Sequence, residues 1–446
     1  MEINMTEGSI SKKILLFALP IFLGQLLQQL YNIVDSIIVG KYLGTDALAA
    51  VTSSGSLIFL LVGFINGLFM GSSVIIGKHY GEKDNEGLSR AAHTSVGFGF
   101  LSGIFLVIMG VTITPILLRL MGTPENVMPN SVIYFRIYFL GGLSNVVYNT
   151  CCGIFQAMGD SRRPLHYLIV SAITNVLLDL LFVAVLGFNV GGAAAATAIS
   201  QTLCAVLAFT RLLREKGPHR IEIRKIRIEP AILAAELKIG FPTAIQNSVI
   251  AIANVVVQSN INAFGAIAMA GSGSYFKVEG FVFLPITSFS MALTTFTSQN
   301  MGAQQYERTK KGTRFGIAMG IACAAFIGLM FYIFAPVLIG LFTQDPDVVA
   351  IGVKQARTET MFYGLLALSH CMAGILRGAG KTTIPMFIML MCWCMIRITY
   401  ITFAVRIIPD IRMIFWAYPL TWSLSSILFT IYYLKADWVH AFQRQS

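Results

Sequence analysis

The chain has 446 residues, of which 56% are hydrophobic and only 12% are charged, and its mean hydropathy is +0.73. Soluble domains carry roughly 25% charged residues, so the composition excludes a water-soluble fold, which could not bury this much apolar surface. A formal net charge of +11 would suggest nucleic acid in a soluble protein, but here the basic residues lie between apolar stretches, and no nucleic-acid partner is expected.

In chain order, twelve apolar segments are each long enough to cross a bilayer, which takes about 20 residues. The polar N-terminus and the lack of a cleavage site predict that the first is a membrane helix rather than a removed signal peptide. The sequence therefore predicts an all-α membrane protein with about twelve transmembrane helices. The segments cover 14–39, 47–76, 91–117, 131–155, 165–186, 192–213, 233–264, 268–298, 312–342, 349–376, 384–408 and 412–434.

The basic residues are distributed unevenly between the two sides of the predicted membrane. Of the 32 lysines and arginines, 23 lie at the termini or in the loops of one side. The opposite loops hold only Lys41, Arg119, Arg406 and Arg412. Because basic loops stay in the cytoplasm, we expect a multi-pass protein of the cell (plasma) membrane with both termini cytoplasmic.

A polar stretch divides the segments into two sets of six. It includes Gly217 and Pro218, which cannot continue the preceding helix. The predicted organisation is an N-terminal six-helix lobe at 1–213, a cytoplasmic linker at 214–232 and a C-terminal six-helix lobe at 233–446.

The two lobes repeat each other with a shift of 221 or 222 residues. An even number of spans in each copy gives both copies the same orientation, so they are predicted to be parallel repeats. Two equivalent bundles favour alternating-access transport, although channels and scaffolds also contain repeats. The matching residues are Pro20 and Pro242, Gly81 and Gly302, Pro115 and Pro336, Pro124 and Pro346, Gly159 and Gly380, and Pro164 and Pro385.

Two acidic residues lie deep within spans of the first copy, where charge is costly and usually functional. Asp35 is about 33 Å along its helix from Lys13, and Asp179 is about 22 Å from Pro164, so both are predicted at similar depth. Asn175 precedes Asp179 by four residues and shares its helix face. This group could hold a proton, coordinate a hard cation such as Na⁺, or simply bond neighbouring helices, and the sequence leaves these readings open.

The second copy carries Glu279 and Arg397 within its spans. One interpretation is an ion pair between them, since a deep guanidinium needs a partner. The other is that Glu279 lines the cleft and meets cationic substrate.

Further cleft or gating candidates come from the first helix of each copy. Pro20 removes a helix hydrogen bond and permits a kink, which could couple ion binding to bending. Polar stripes predict a wet helix face in both copies. The candidates taken from these stripes are Gln28, Tyr31, Asn32, Gln246 and Asn254.

The sequence has no nucleotide-binding loop, metalloprotease motif, nucleophile elbow or kinase signature. We therefore expect a protein that is not an enzyme and has neither catalytic residues nor a cofactor.

The residues also resemble a known family, the multidrug and toxic compound extrusion (MATE) transporters. The likeness spans essentially the whole chain. It rests on "FALPIFLGQLLQQLYNIVDSIIVGKYLG", "SQNMGAQ", "FQAMGDSRRP", "LRGAGKTTIP" and "NVLLDLLF" followed by "GGAAAATAISQ".

The resemblance implies V-shaped lobes, exchange of Na⁺ or H⁺ for drugs, and an N-lobe ion site at Asp35, Asn175, Asp179 and Thr197. The middle of the tenth segment has His370 and no carboxylate. A C-lobe sodium site is therefore not expected.

Taken together, these features predict a secondary active antiporter in the lipid bilayer. It would export small organic cations or amphipathic drugs in exchange for H⁺ or Na⁺, without an obligate protein partner. The alternative is a flippase for a lipid-linked saccharide or another lipid precursor, which a cleft lined with basic residues would favour.

Overall fold

The computed structural model describes residues 3–120 and 123–442, without the side chains of 45, 46, 48, 49, 52–60 and 120. Within these ranges the chain is helical and contains no strand. The α-helices are α1 Ile10–Leu43, α2 Thr45–Glu82, α3 Asn85–Leu120, α4 Met128–Leu140, α5 Gly142–Ala157, α6 Arg162–Asp179, α7 Val190–Arg214, α8 Pro230–Asn262, α9 Ala266–Gly302, α10 Tyr306–Gly340, α11 Pro346–Glu359, α12 Tyr363–Gly378, α13 Thr383–Met389, α14 Arg397–Ile407 and α15 Arg412–Lys435.

Eleven stretches of the described chain are long and apolar enough to cross a membrane. The other predicted span, 131–155, is formed by α4 and α5, which meet at Gly141. A Cβ atom at Gly141 would lie 2.9 Å from the Cβ of Ala198, so the glycine permits close packing on α7. The all-α membrane fold with about twelve spans is confirmed.

The backbone repeats with the shift found in the sequence. Gly44 and Gly265 both have a positive φ and precede α2 and α9, and 265 − 44 is 221. Lys83 and Gln304, which also have a positive φ, are separated by the same 221 residues. A positive φ is unusual for residues with side chains, so its recurrence shows that the two copies share their turns as well as their spans.

The described chain groups by its contacts into two units, 1–4 with 23–240 and 5–22 with 241–446. The N-terminal segment belongs to the second unit because its backbone is bonded there. The amide of Met5 donates to Gln299 Oε1 at 3.1 Å, and Arg308 Nη1 donates to the carbonyl of Gly8 at 2.8 Å. The lobe boundaries expected from the sequence stay a prediction, because grouping by contacts divides the chain at different residues.

The predicted linker packs on α3 of the first unit rather than extending away from it. The amide of Glu222 donates to His93 Nε2 at 3.0 Å, and that of Glu229 donates to Thr94 Oγ1 at 3.3 Å. Further along, Glu236 is 1% exposed and accepts hydrogen bonds from Ser72 and Ser95 at 2.9 and 2.6 Å. These contacts hold the start of α8 against α2 and α3.

The turn between α2 and α3 provides a test by pH. The amide of Gly87 donates to Asp84 Oδ1 at 2.9 Å, and this hydrogen bond is the main cause of a lowered pKa for Asp84. A carboxylate with a lowered pKa stabilises the fold above its unfolded pKa and loses this effect as pH falls through the folded value. Asp84→Ala should therefore cost about 1 kcal/mol at neutral pH.

Thermal unfolding in detergent would measure this cost. The difference between Asp84→Ala and the unaltered chain should shrink once pH falls below the ordinary Asp value of 3.8. Asp84→Asn is the control, because its amide oxygen can accept the same hydrogen bond without a titrating charge. A penalty for Asp84→Ala that is constant with pH would contradict the assignment.

Candidate ion site

Helices α1 and α6 bring the two deep carboxylates of the first copy to the same level. A Cβ atom at Gly24 would lie 3.6 Å from Leu168 Cδ2, so the two helices are in van der Waals contact there. Asp35 is 11 residues beyond Gly24, and Asp179 is 11 residues beyond Leu168. At about 1.5 Å per residue along parallel helices, both carboxylates lie about 16 Å from that contact.

Small residues pack the other side of this group. The alanine-rich start of α7 places Ala193, Ala194 and Ala196 at 0% exposure, and α7 packs closely on α6. Ser171 Oγ donates to the carbonyl of Ser200 at 2.9 Å and ties the two helices together. This packing turns Thr197 of α7 toward Asn175 of α6.

All four predicted ion-site residues are buried together: Asp179 is 0%, Asn175 1%, and Asp35 and Thr197 each 8% exposed. Asn175 Nδ2 donates to Thr197 Oγ1 at 3.4 Å, and the carboxyl groups of Asp35 and Asp179 lie within hydrogen-bonding reach of each other. The structure brings together the four side chains that the sequence analysis named. Their role as an ion site stays a prediction.

The group has more acceptors than donors. Asp35 Oδ1, both carboxylate oxygens of Asp179 and Asn175 Oδ1 are buried without a hydrogen-bond donor in the described chain. Buried acceptors without donors are costly, and two adjacent carboxylates repel each other when both are ionised. A proton shared between the carboxylates, or a hard cation bound by these oxygens, would remove both penalties, so the residues present fit either H⁺ or Na⁺.

The helix changes its winding immediately after Asp179. Residues Leu180–Val185 form a π-helical turn. Such turns are rare and occur frequently at functional sites. Tyr134 of α4 lies near both Asp35 and Asp179, and it belongs to a buried apolar cluster that includes Val183 and Val190. The oxygens of Asp35, Asn175 and Asp179 are therefore a polar group with apolar side chains beside it.

The polar stripe of α1 is partly exposed. Gln28 and Asn32 are exposed, and Tyr31 is half-buried. Pro20 lies inside the continuous helix α1. In the second unit, Asn254 is exposed, whereas Gln246 is 3% exposed and donates to Met389 Sδ. Gln246 thus packs between helices, while Gln28, Asn32 and Asn254 are accessible.

The second unit contains an acidic cluster formed by Glu279 and Glu359. The sequence analysis predicted a role for Glu279 but did not name Glu359. Tyr275 Oη lies 3.2 Å from Glu279 Oε1, 3.0 Å from Glu359 Oε2 and 2.9 Å from Tyr363 Oη. Gln355 Nε2 donates to the other Glu359 oxygen at 2.9 Å. Tyr275 has one proton and can serve only one carboxylate at a time.

Glu359 is a buried carboxylate that the sequence analysis did not single out. It belongs to the tenth span, Pro346–Gly378, and is 0% exposed. It lies five residues before the "GLLALSHCMAG" stretch, in the polar run "KQARTET", which is typical of a helix end. The available signal was the spacing of Gln355 and Glu359, four residues apart on one helix face.

Arg397 does not form the ion pair considered for it. Within the described chain it has no salt bridge to Glu279; instead its Nη2 donates to Thr421 Oγ1 at 2.9 Å. Its guanidinium carbon lies 4.3 Å from the ring centroid of Tyr418 and 5.5 Å from that of Trp393. Aromatic faces and a hydroxyl therefore satisfy this buried cation.

Tyr275→Phe tests whether the acidic cluster stabilises the second unit. Removing the hydroxyl leaves the buried Glu359 and the half-buried Glu279 without a shared donor, so the free energy of unfolding should fall by about 1–3 kcal/mol. Thermal unfolding in detergent would measure it. Tyr306→Phe is the control, because the hydroxyl of Tyr306 has no hydrogen bond in the described chain. Equal effects of the two substitutions would contradict the assigned role.

Comparison with known proteins decides the family. The MatE family model matches residues 20–181 and 242–402, so it finds both copies, and each match begins at one of the paired prolines. The chain belongs to the MATE family. This MATE protein is 30% identical over 387 residues to the probable multidrug resistance protein YoeA of Bacillus subtilis, covering 85% of this chain and 84% of that protein. It is also 29% identical over 386 residues to YpnP of the same organism, named a probable multidrug resistance protein, covering 84% of each.

A solved structure agrees with the fold. The outward-facing conformation of a multidrug resistance MATE family transporter of the MOP superfamily matches with a TM-score of 0.91 over 99% of both chains, at 22% identity. The resemblance to MATE transporters and the expectation that the chain is not an enzyme are confirmed. The protein is a multi-pass membrane transporter of the MATE family.

Proposed function

We propose that this MATE transporter is a secondary active antiporter of the cell membrane, with both termini cytoplasmic. It exports small cationic or amphipathic organic compounds in exchange for H⁺ or Na⁺ by alternating access. The observation that carries the proposal is the group of buried acceptor oxygens on Asp35, Asn175 and Asp179 that lack donors in the described chain.

The ion would act on the packing of α1 against α6. With the site empty, Asp35 and Asp179 repel each other and their oxygens favour water; a bound proton or Na⁺ lets the two helices close. Pro20 has no N–H to donate, so α1 can bend there at a smaller cost than elsewhere. Ion binding at Asp35 would then change the conformation of the helix that carries it.

The flippase alternative has less support. It requires a cleft lined with basic side chains that can reach a pyrophosphate, yet the two arginines that are buried in the described chain are both engaged. Arg397 bonds to Thr421, and Arg377, which is 9% exposed, donates to Ser290 Oγ at 3.1 Å.

Transport by purified protein in liposomes tests the proposal. A fluorescent organic cation is loaded, and a pH gradient or a Na⁺ gradient is imposed separately. We expect one inward ion gradient to drive the dye out against its own gradient, and an ionophore that dissipates this ion to stop it. Dye movement that only follows its own gradient would indicate a channel, and flipping of a labelled lipid precursor without dye export would indicate the flippase.

A further inference from the structure

A groove lined by two basic side chains, Lys354 and Arg357, lies between α11 and α15 in the second unit. Its volume is about 540 Å³, and α10 contributes to the same region through Tyr332. Most of its lining is apolar, so it is not an ordinary solvated surface. The lining residues used below are Val353, Lys354, Arg357, Met361, Phe362 and Trp416.

The two basic side chains of the groove share one face of α11. Lys354 and Arg357 are three residues apart on α11, so their side chains are neighbours. Both are exposed, and neither forms a salt bridge in the part of the chain that the structure describes. Arg357 lies over the ring of Tyr332 at 5.6 Å, and the nearby Asp410 is bonded to Arg412 at 2.6 Å.

The apolar part of the groove lining is accessible; it comes from the turn that follows α11 and from α15. Met361 is 73% and Trp416 46% exposed, and the rings of Trp416 and Phe362 meet edge to face at 5.9 Å. Apolar side chains that are exposed near the end of a membrane helix can contact lipid acyl chains. In contrast, Glu359 is fully buried in the acidic cluster, so the groove and that cluster are on different sides of the helix.

The groove is close to the helix ends on the side opposite the basic loops. Lys354 is eight residues after the start of α11 at Pro346, or about 12 Å along it, and Trp416 is four residues after the start of α15, or about 6 Å. Lipid headgroups meet acyl chains at this level, where Trp, Lys and Arg are common. The two basic side chains lie nearer this end of α11 than Met361 and Phe362, which belong to the apolar lining of the groove. This order matches a phospholipid, whose anionic headgroup lies at the surface and whose acyl chains lie below it.

We propose that the groove binds an anionic phospholipid of the leaflet opposite the basic loops. Lys354 and Arg357 hold the phosphate through charge-assisted hydrogen bonds, and Met361, Phe362 and Trp416 contact the glycerol and the upper acyl chain. Zwitterionic lipids fit the same wall but carry a cationic group, so they gain less from the two basic side chains. The site is distinct from the candidate ion site and does not depend on the direction of transport.

Tryptophan fluorescence provides the test. The chain has four tryptophans, and Trp393, Trp422 and Trp438 are only 6%, 3% and 3% exposed, so lipid-borne quenchers should act mainly on Trp416. The full-length protein is reconstituted with brominated phosphatidylglycerol or brominated phosphatidylcholine. Half-maximal quenching should need roughly tenfold less of the anionic lipid, because each basic side chain near a membrane surface favours anionic lipids. The variant Trp416→Phe should lose most of the quenching, which would identify Trp416 as its source.

The variant Lys354→Gln with Arg357→Gln should remove the anionic preference and leave quenching by phosphatidylcholine unchanged. Arg406→Gln is the matched control, since Arg406 is an exposed basic residue of the same side outside the groove. Because the readout is a ratio of two lipids on one protein, a general loss of stability does not imitate the result. Equal quenching by both lipids in the unaltered chain, or a preference kept by the double variant, would overturn the proposal.

Discussion

Asp35→Asn is expected to abolish coupling of substrate export to the ion gradient. The substitution keeps size and polarity but removes the charge that binds H⁺ or Na⁺. Coupling between two ligands typically changes affinity 5- to 150-fold, so the gradient-driven export rate should fall by roughly a hundredfold. Export measured in liposomes with and without the driving gradient would become nearly the same.

Stability gives this variant a second readout. The side-chain amide that Asp35→Asn introduces can donate to Asp179, which satisfies an acceptor that otherwise lacks a donor in the described chain. The thermal midpoint in detergent should therefore stay the same or rise while coupling is lost. Asp410→Asn is the control, because Asp410 lies in a loop and bonds Arg412. Undiminished coupling in Asp35→Asn would remove Asp35 from the ion site.

Gly71→Ala is expected to have a large effect on stability through a single methyl group. A Cβ atom at Gly71 would lie 1.9 Å from the backbone oxygen of Glu236 and 2.7 Å from the amide nitrogen of Gly240. The added methyl group would clash with backbone atoms, which cannot move aside as a flexible side chain can. Helices α2 and α8 would therefore have to move apart. Overpacking of this kind costs about 1–3 kcal/mol and can also strain the buried hydrogen bonds of Glu236 with Ser72 and Ser95.

Gly63→Ala on the same helix is the control for this crossing. A Cβ atom there would meet nothing within 4 Å, so the same chemical change should be nearly neutral. The thermal midpoint of each variant in one detergent measures the difference. If both variants unfold at the same temperature, the tight crossing of α2 and α8 does not contribute to stability as proposed.

Much of the architecture follows from local sequence patterns. Apolar segments of membrane length determined the number of spans, because any backbone inside a bilayer must satisfy its own hydrogen bonds. The repeat was visible in paired prolines and glycines, and the left-handed pair Lys83 and Gln304 carries the same shift of 221 into the backbone. Asp35 and Asp179 were predicted at one depth because both helices start from the same side.

Other features depend on contacts that no local pattern encodes. The contact partners of Glu236 are 164 and 141 residues away, and Tyr275 and Glu359 are 84 residues apart. Hydrophobic periodicity identifies a helix and its face, but the chemical role of a buried carboxylate depends on which other helices pack against that face. The sequence by itself determined the spans and the repeat, and it named the four residues of the candidate ion site. Only the tertiary structure decided that Arg397 packs on aromatic rings and that Glu359 and Glu279 share the hydroxyl of Tyr275. It also decided that Lys354 and Arg357 line a groove with Trp416. Each of these contacts joins side chains from different helices, so no local sequence pattern predicts it.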